Sequence, residues 1–278
     1  MTTFARDARL RRTFTATPLA RRVERGAARD VDVAKFARKR YPAAARRVAA
    51  IAQSSLAVGE WMAVDLFARL TTALTLASAP IDIVSAAAKV PTDEIRHADL
   101  ALRMAAALIE EEVDQPAVEQ DRHAFLAVPM SLEALDAAML EMPAIGETLA
   151  CALLSASRDC ASDPVARAVF SSLLRDEVSH ARLGWYYLAW RSETWTVAER
   201  QRVADRAANF VAHVEVMFGR GRDAPRGARK AARALGVLDT PTQRAAIQAI
   251  MEQEVVPGLD GLGLGASHAW RLRKRLAS

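Results

Sequence analysis

The 278-residue chain predicts an all-α protein: a four-helix bundle preceded by a basic arm and followed by further helices. Three observations predict it. Aromatics are only 6% of the residues and glycines number 12, so Ala, Leu and Arg dominate, which favours helix over sheet by intrinsic propensity. Helix-start signals recur, while hairpin dipeptides between alternating apolar runs are missing. A six-residue pattern also occurs twice inside Ala/Leu-rich runs. It reads Asp93-Glu94-Ile95-Arg96-His97-Ala98 and then Asp176-Glu177-Val178-Ser179-His180-Ala181.

Residues 1–40 are Arg-rich with scattered apolar positions, which suits an arm or short helices. Tyr41-Pro42 opens the first helix, since proline fits a first helical turn. This helix runs to about Ser78, with a break near Ser54-Ser55, and Ala79-Pro80 ends it. The second covers about 82–112 and contains Pro91. Either the helix starts afresh there, or a proline kink distorts it beside Glu94. Residues 113–130 form a polar crossover. Ser131 starts the third helix, which runs to about Ser157 and is interrupted at Pro143. Asp163-Pro164 is a cap and first-turn proline for the fourth, about 164–191. Trp185, Tyr186, Tyr187 and Trp190 near its end are expected to pack the core, with Tyr187 also placed to carry electrons. Thr196 and Glu199 make a capping box for a helix over about 197–219. Residues 219–227 form a loop. Thr240-Pro241 opens a last helix to about Val256, and 257–265 is too glycine-rich for helix. The organisation is therefore an arm (1–40), the bundle (41–192) and a C-terminal helical extension (193–278).

Bulk properties narrow the function. Half of the chain is apolar, yet no uninterrupted run of about 18 apolar residues occurs, so no membrane span is expected. Arg11-Arg12 is followed by no apolar stretch and is not read as an export signal. Cys151 and Cys160 lie nine apart on one helix, too far for a disulfide, and the cytoplasm is the expected compartment. The net charge of +5 is uneven: residues 1–47 carry a balance of +10, and the remainder −5. The arm is either a solvated surface or a site for RNA, an acidic carrier protein or an electron-transfer partner. A second basic cluster, Arg271, Arg273, Lys274 and Arg275, ends the chain. His123, His213 and His268 have no partners at ligand spacing.

The doubled pattern carries the chemistry. Residues three apart share a helix face, so Glu94 and His97 point together, as do Glu177 and His180. Their helical neighbours are apolar: Val90, Ala98 and Ala101, then Leu173, Leu174 and Ala181. Burying a carboxylate with an imidazole is costly unless something binds them. Each pair also follows a lone Gly-Glu, Gly59-Glu60 and Gly146-Glu147, set 34 and 30 positions before the motif glutamate. Glu60, Glu94, His97, Glu147, Glu177 and His180 together make an oxygen-and-imidazole set that suits two iron or manganese ions.

In these residues the chain resembles the ferritin-like di-iron carboxylate superfamily, over roughly 45–192. The resemblance implies a ferritin-like four-helix bundle with a dimetal core. It implies that Glu94 and Glu177 bridge the metals, that Glu60 and Glu147 are terminal, and that His97 and His180 bind one metal each. It also implies that Asp93 orients His180 and Asp176 orients His97; the alternative puts both aspartates on an exposed helix face. Asp93-Glu-Ile-Arg-His97 looks more like the oxygen-activating members than storage ferritins, and Arg96 is either part of a supporting salt bridge or solvated. Leu173 stands where the N-oxygenases have an extra histidine, and Ala101 where a reductase radical tyrosine would be. Cys151, one turn after Glu147, is either a pocket residue facing bound oxygen or a small core residue.

The function implied is a di-iron oxidase or oxygenase. It would use dioxygen and an external electron donor to hydroxylate, desaturate or N-oxidise a small organic substrate, with the extension forming a pocket or a homodimer contact. The alternatives are a tRNA-modifying di-iron hydroxylase and a ferroxidase. Three asymmetries between the halves are where substrate choice is expected to lie: Arg96 against Ser179, Pro91 against Leu174, and Val64 against Cys151.

Overall fold

The structure, a computed structural model, describes residues 31–109 and 131–274. Most of the predicted arm, the crossover over 113–130 and His123 lie outside the described residues. All regular structure among the described residues is helical. Two short 3-10 turns, Val33–Lys35 and Arg38–Arg40, precede helix α1, Ala43–Leu76. α2 is Ile81–Ile109. α3, Leu132–Met139, runs through a π-helical turn, Leu140–Gly146, into α4, Glu147–Cys160. α5 is Pro164–Ser192.

The ends follow local chemistry. α1 stops where Ser78 takes a left-handed φ of 53°, just before Pro80. Ser131 accepts from the Ala134 amide and caps α3. Asp163 accepts from the Val165 and Ala166 amides, both at 2.9 Å, ahead of Pro164. Thr196 and Glu199 complete the predicted capping box of α6, Val197–Phe218. Beyond it come α7, Arg229–Ala234, and α8, Thr240–Ile250; a second π turn, Met251–Val255, leads into α9, Val256–Gly261, and α10 is Ala266–Arg271.

α1 packs along α2, α4 along α5, and α2 crosses to α5, while α1 and α4 share few or no close contacts. Two apolar clusters fill the interior. One includes Phe67, Leu70 and Leu74 of α1, Val90 of α2, Leu149 of α4 and Leu183 of α5, and continues into α6, α8 and α9. The other includes Ala49 of α1, Leu100 and Met104 of α2, Leu154 of α4 and Leu173 of α5, together with Val33 and Phe36 ahead of α1. A fully buried side chain of this kind contributes about 1.5–3 kcal/mol, so the clusters hold the helices rigidly. On α1, α2 and α5 the two clusters leave an interval that holds Glu60, Glu94 with His97, and Glu177 with His180; on α4, Glu147 lies between Ile145 and Leu149 of the first cluster.

Several expectations are corrected. α1 has no break at Ser54-Ser55: Ser54 is buried and Ser55 accepts from Arg222. α2 runs through Pro91 without interruption, and the distortion falls instead at Pro143. Asp239, not Thr240, caps α8 by accepting from the Thr242 amide. The glycine-rich stretch is helical as far as Gly261, because Val256 and Leu259 are buried and Gly258 lets the backbone lie on the Trp185 ring; a Cβ there would come 2.9 Å from Cζ3. Tertiary packing overrides propensity in that turn. Tyr186 is exposed rather than in the core. Averaged over a window, Leu132–Cys160 is long and apolar enough to cross a membrane, against the expectation from uninterrupted runs. Half of that window is buried against the rest of the protein, and Glu147 lies within it.

Candidate metal centre

Helical spacing brings the six sequence-selected side chains together in two overlapping groups that share Glu177. Glu94, His97, Glu177 and His180 are almost wholly buried, Glu147 is 8% exposed, and the Glu60 side chain is 11% exposed. Glu60, Glu94, His97 and Glu177 offer ligand atoms within 4.8 Å of one another, as do Glu147, Glu177 and His180.

The distances reveal a crossed arrangement. His97 Nδ1 lies 3.4 Å from Glu94 Oε2, 2.9 Å from Glu177 Oε1 and 3.7 Å from Glu60 Oε2. His180 Nδ1 lies 3.0 Å from Glu94 Oε1 and 3.1 Å from Glu177 Oε2. Each motif glutamate thus turns one oxygen toward each imidazole. Yet both Glu94 oxygens, Glu177 Oε1 and His97 Nδ1 lack a hydrogen-bond partner. These atoms are close but do not point at one another; they converge on common space. Buried polar atoms without partners are expensive, and a cation among them removes the cost. Carboxylate oxygens with imidazole nitrogens, and no thiolate, suit hard or borderline divalent ions, so the residues present fit two such ions.

The outward nitrogens are held by aspartates. His97 Nε2 meets Asp176 Oδ2 at 3.2 Å, and His180 Nε2 meets Asp93 Oδ2 at 3.5 Å. An Nε2–H held this way leaves Nδ1 free to face inward, which fixes both tautomer and ring angle. Each aspartate has its own cation on α2: Arg96 pairs with Asp176, and Lys89 with Asp93 at 3.2 Å. Lys89 was not singled out from the sequence; its place four residues before Asp93 was the available signal.

Electrostatics agree with this geometry. Burial pushes the Glu60 and Glu147 carboxyls well above the usual range, and the charges of Glu177 and Glu94 push the same way. Burial alone would raise Glu94 and Glu177 too, but contacts with His180 and His97 outweigh it and hold both below that range. Burial opposes charge on the imidazoles, yet the surrounding carboxylates win: His97 is raised well above its ordinary value, and His180 is pushed up to about 12. The metal-free centre therefore stores protons where a metal would supply positive charge.

Around the centre, the Phe67 ring stands 6.0 Å from the His180 ring. Cys151 is partly exposed, and burial with the nearby charges of Glu177 and Glu147 pushes its thiol up to about 12. Both cysteines are free thiols. Pro143 sits inside the π turn that delivers Glu147, a distortion frequent at functional sites. Gly184, four residues after His180, is where α5 touches that turn; a Cβ would overlap the backbone of Pro143 and Ala144. Thr148 accepts from Trp185 Nε1 at 3.0 Å.

A second buried polar group was not foreseen. Asp136 accepts from Tyr187 Oη at 2.6 Å, from Arg191 through two nitrogens at 2.9 Å, and from Trp195 Nε1 at 2.8 Å. Its signal was a lone acid in the apolar run Leu135–Met139. Tyr187 is thus fully buried and fixed by Asp136, with Trp190 edge-on at 5.7 Å. His213 bonds the Asn209 carbonyl and belongs to no ligand group among the described residues. No protein-family model, curated protein or solved structure matches the chain.

Proposed function

We propose that this chain is a ferritin-like four-helix-bundle protein with a di-iron centre that oxidises a small organic substrate with dioxygen. The observation that carries the reading is the crossed set of buried glutamate and histidine atoms: both Glu94 oxygens, Glu177 Oε1 and His97 Nδ1 converge without a hydrogen-bond partner, and only His180 Nδ1 and Glu177 Oε2 bond each other, at 3.1 Å. Glu60, Glu94, His97 and Glu177 would hold one ion, and Glu147, Glu177 and His180 a second. Manganese fits the same donors.

Iron held by these residues would supply the electrons for reducing dioxygen and the oxidising power for the substrate. The protein's own residues set the stage. Asp176 and Asp93 keep each Nδ1 directed inward, while Arg96 and Lys89 hold those aspartates in place. The apolar clusters on either side shield Glu94, Glu177 and both imidazoles from water. The Cys151 thiol stays protonated beside the centre, as a small neutral wall. Electrons would come from an external reductant, and the proposed compartment is the cytoplasm.

The test is anaerobic reconstitution with ferrous iron followed by mixing with oxygen. Two irons per chain and a transient visible absorption are expected; a chain that binds no iron ends the reading. Sustained oxidation of added ferrous iron, with no organic product, would move it to iron handling.

A further inference from the structure

The centre is not equally enclosed on its two sides. On α2 and α5 the motif residues at the centre are buried, and the approach past them is guarded by Lys89 and Arg96 on Asp93 and Asp176. On α1 and α4 the pattern differs. α1 is buried on the same face at Ala57 and again at Phe67, but Glu60, Ala63 and Val64 between them are partly exposed. α4 repeats this: Glu147 and Leu154 are buried, whereas Ala150 and Cys151 between them are partly exposed. The positions correspond, since Ala63 and Ala150 each follow the lone glutamate by three residues, and Val64 and Cys151 by four. The α1 and α4 backbones have few or no close approaches among the described residues, while α8 packs on α4, so the line between α1 and α4 over the centre is bordered by these partly exposed positions and is called the seam below.

We infer that this seam is the route by which divalent metal ions enter the centre, with Ala63, Val64, Ala150 and Cys151 as its rim and Glu60 as the first ligand met. The inference rests on the dimetal reading above and adds a direction to it. The side chains at the rim are small. Glu60 is the most exposed of the four glutamates of the centre, and close to it lie the unpartnered Glu94 oxygens and Glu177 Oε1. An ion arriving past α2 first meets the Lys89 and Arg96 cations, whereas one arriving between α1 and α4 meets no basic side chain among the rim residues. Glu254, exposed on the second π turn, is near enough to Cys151 for its charge to reach the thiol, so the outer rim is negative too.

The experiment follows cobalt(II) uptake by the metal-free full-length protein in a stopped-flow instrument, reading the visible bands of bound cobalt. Ala63→Val, Ala63→Leu and Ala63→Trp fill the seam in steps, so the series stays informative if the largest variant does not fold. Ile95→Trp, on the exposed face of α2, is the control. Uptake is expected to slow with side-chain size, by about tenfold or more at the top of the series, because entry then waits on helix separation. Final cobalt stoichiometry is expected to stay at the wild-type value, and Ile95→Trp to load at the wild-type rate. A rate indifferent to size at position 63, with full loading, overturns the route but leaves the centre intact; so does slowing by Ile95→Trp alone. Wild-type protein that takes up no cobalt overturns the dimetal reading itself, and the route with it.

Discussion

The α1–α2 and α4–α5 halves of this molecule offer the same three side chains and support them differently. In the first, Glu60 rides on an unbroken 34-residue helix and has partial solvent access. In the second, Glu147 emerges from a π turn, is more enclosed, and sits beside the backbone contact at Gly184. The second half also carries the Asp136 anchor. A doubled ligand pattern thus fixes which atoms converge, while the supports decide how firmly each half holds them.

The comparison breaks most completely at the shared carboxylates. Replacing Glu94 or Glu177 with Ala is expected to abolish loading of both ions, because each serves both histidines; Glu60→Ala or Glu147→Ala should lose one. Elemental analysis of loaded protein reads the difference. Protons compete for the same sites. Both imidazoles have raised values and are protonated near neutrality without metal, so each must release a proton on binding. Metal affinity should therefore rise with pH and fall as pH drops, with proton release measured by calorimetry in buffers of different ionisation enthalpy.

Smaller effects sharpen the contrast between supports. Asp136→Ala strands Arg191, Tyr187 and Trp195 and should destabilise the second half by about 3–5 kcal/mol in urea unfolding, as for other broken buried ion pairs. Gly184→Ala should cost about 1–3 kcal/mol through overpacking against the π turn. Its counterpart four residues after His97 is Ala101, and Ala101→Gly should cost only about 1 kcal/mol from helix propensity. Last, Asp176→Asn and Asp93→Asn should each weaken metal binding, by about 10–100-fold. The larger loss is expected at Asp176, whose bond to its histidine is shorter. A chelator competition ranks the two.

Much of this was legible in the chain. The spacing of Glu94 with His97 and of Glu177 with His180 is set by helix geometry alone, and each lone glutamate stood out against apolar neighbours. Asp163-Pro164 and the Thr196–Glu199 box placed two helix starts, since capping is local chemistry. What was not legible depends on contacts between distant segments. The helix through Gly258 exists because of the Trp185 ring, and the run through Ser54-Ser55 is continuous because Ser54 is buried. Nor did Pro143 reveal which kind of distortion it would accompany. A proline states that a regular bond is lost, and the surrounding packing decides whether the helix kinks, restarts or widens.

That widened turn has a consequence for evolution and for engineering. Each residue of an α-helix turns the chain by about 100°. Leu140–Gly146 holds one residue more than a regular helix needs between Asp136, fixed to Arg191, and Glu147, directed at the centre. Removing a single residue from this stretch would restore a regular helix and rotate one end against the other. Either the carboxylate at 136 or the one at 147 would keep its bearing, but not both. An inserted residue at this spot is thus what lets one helix serve two masters, and a one-residue deletion series through it would show which of them the fold obeys.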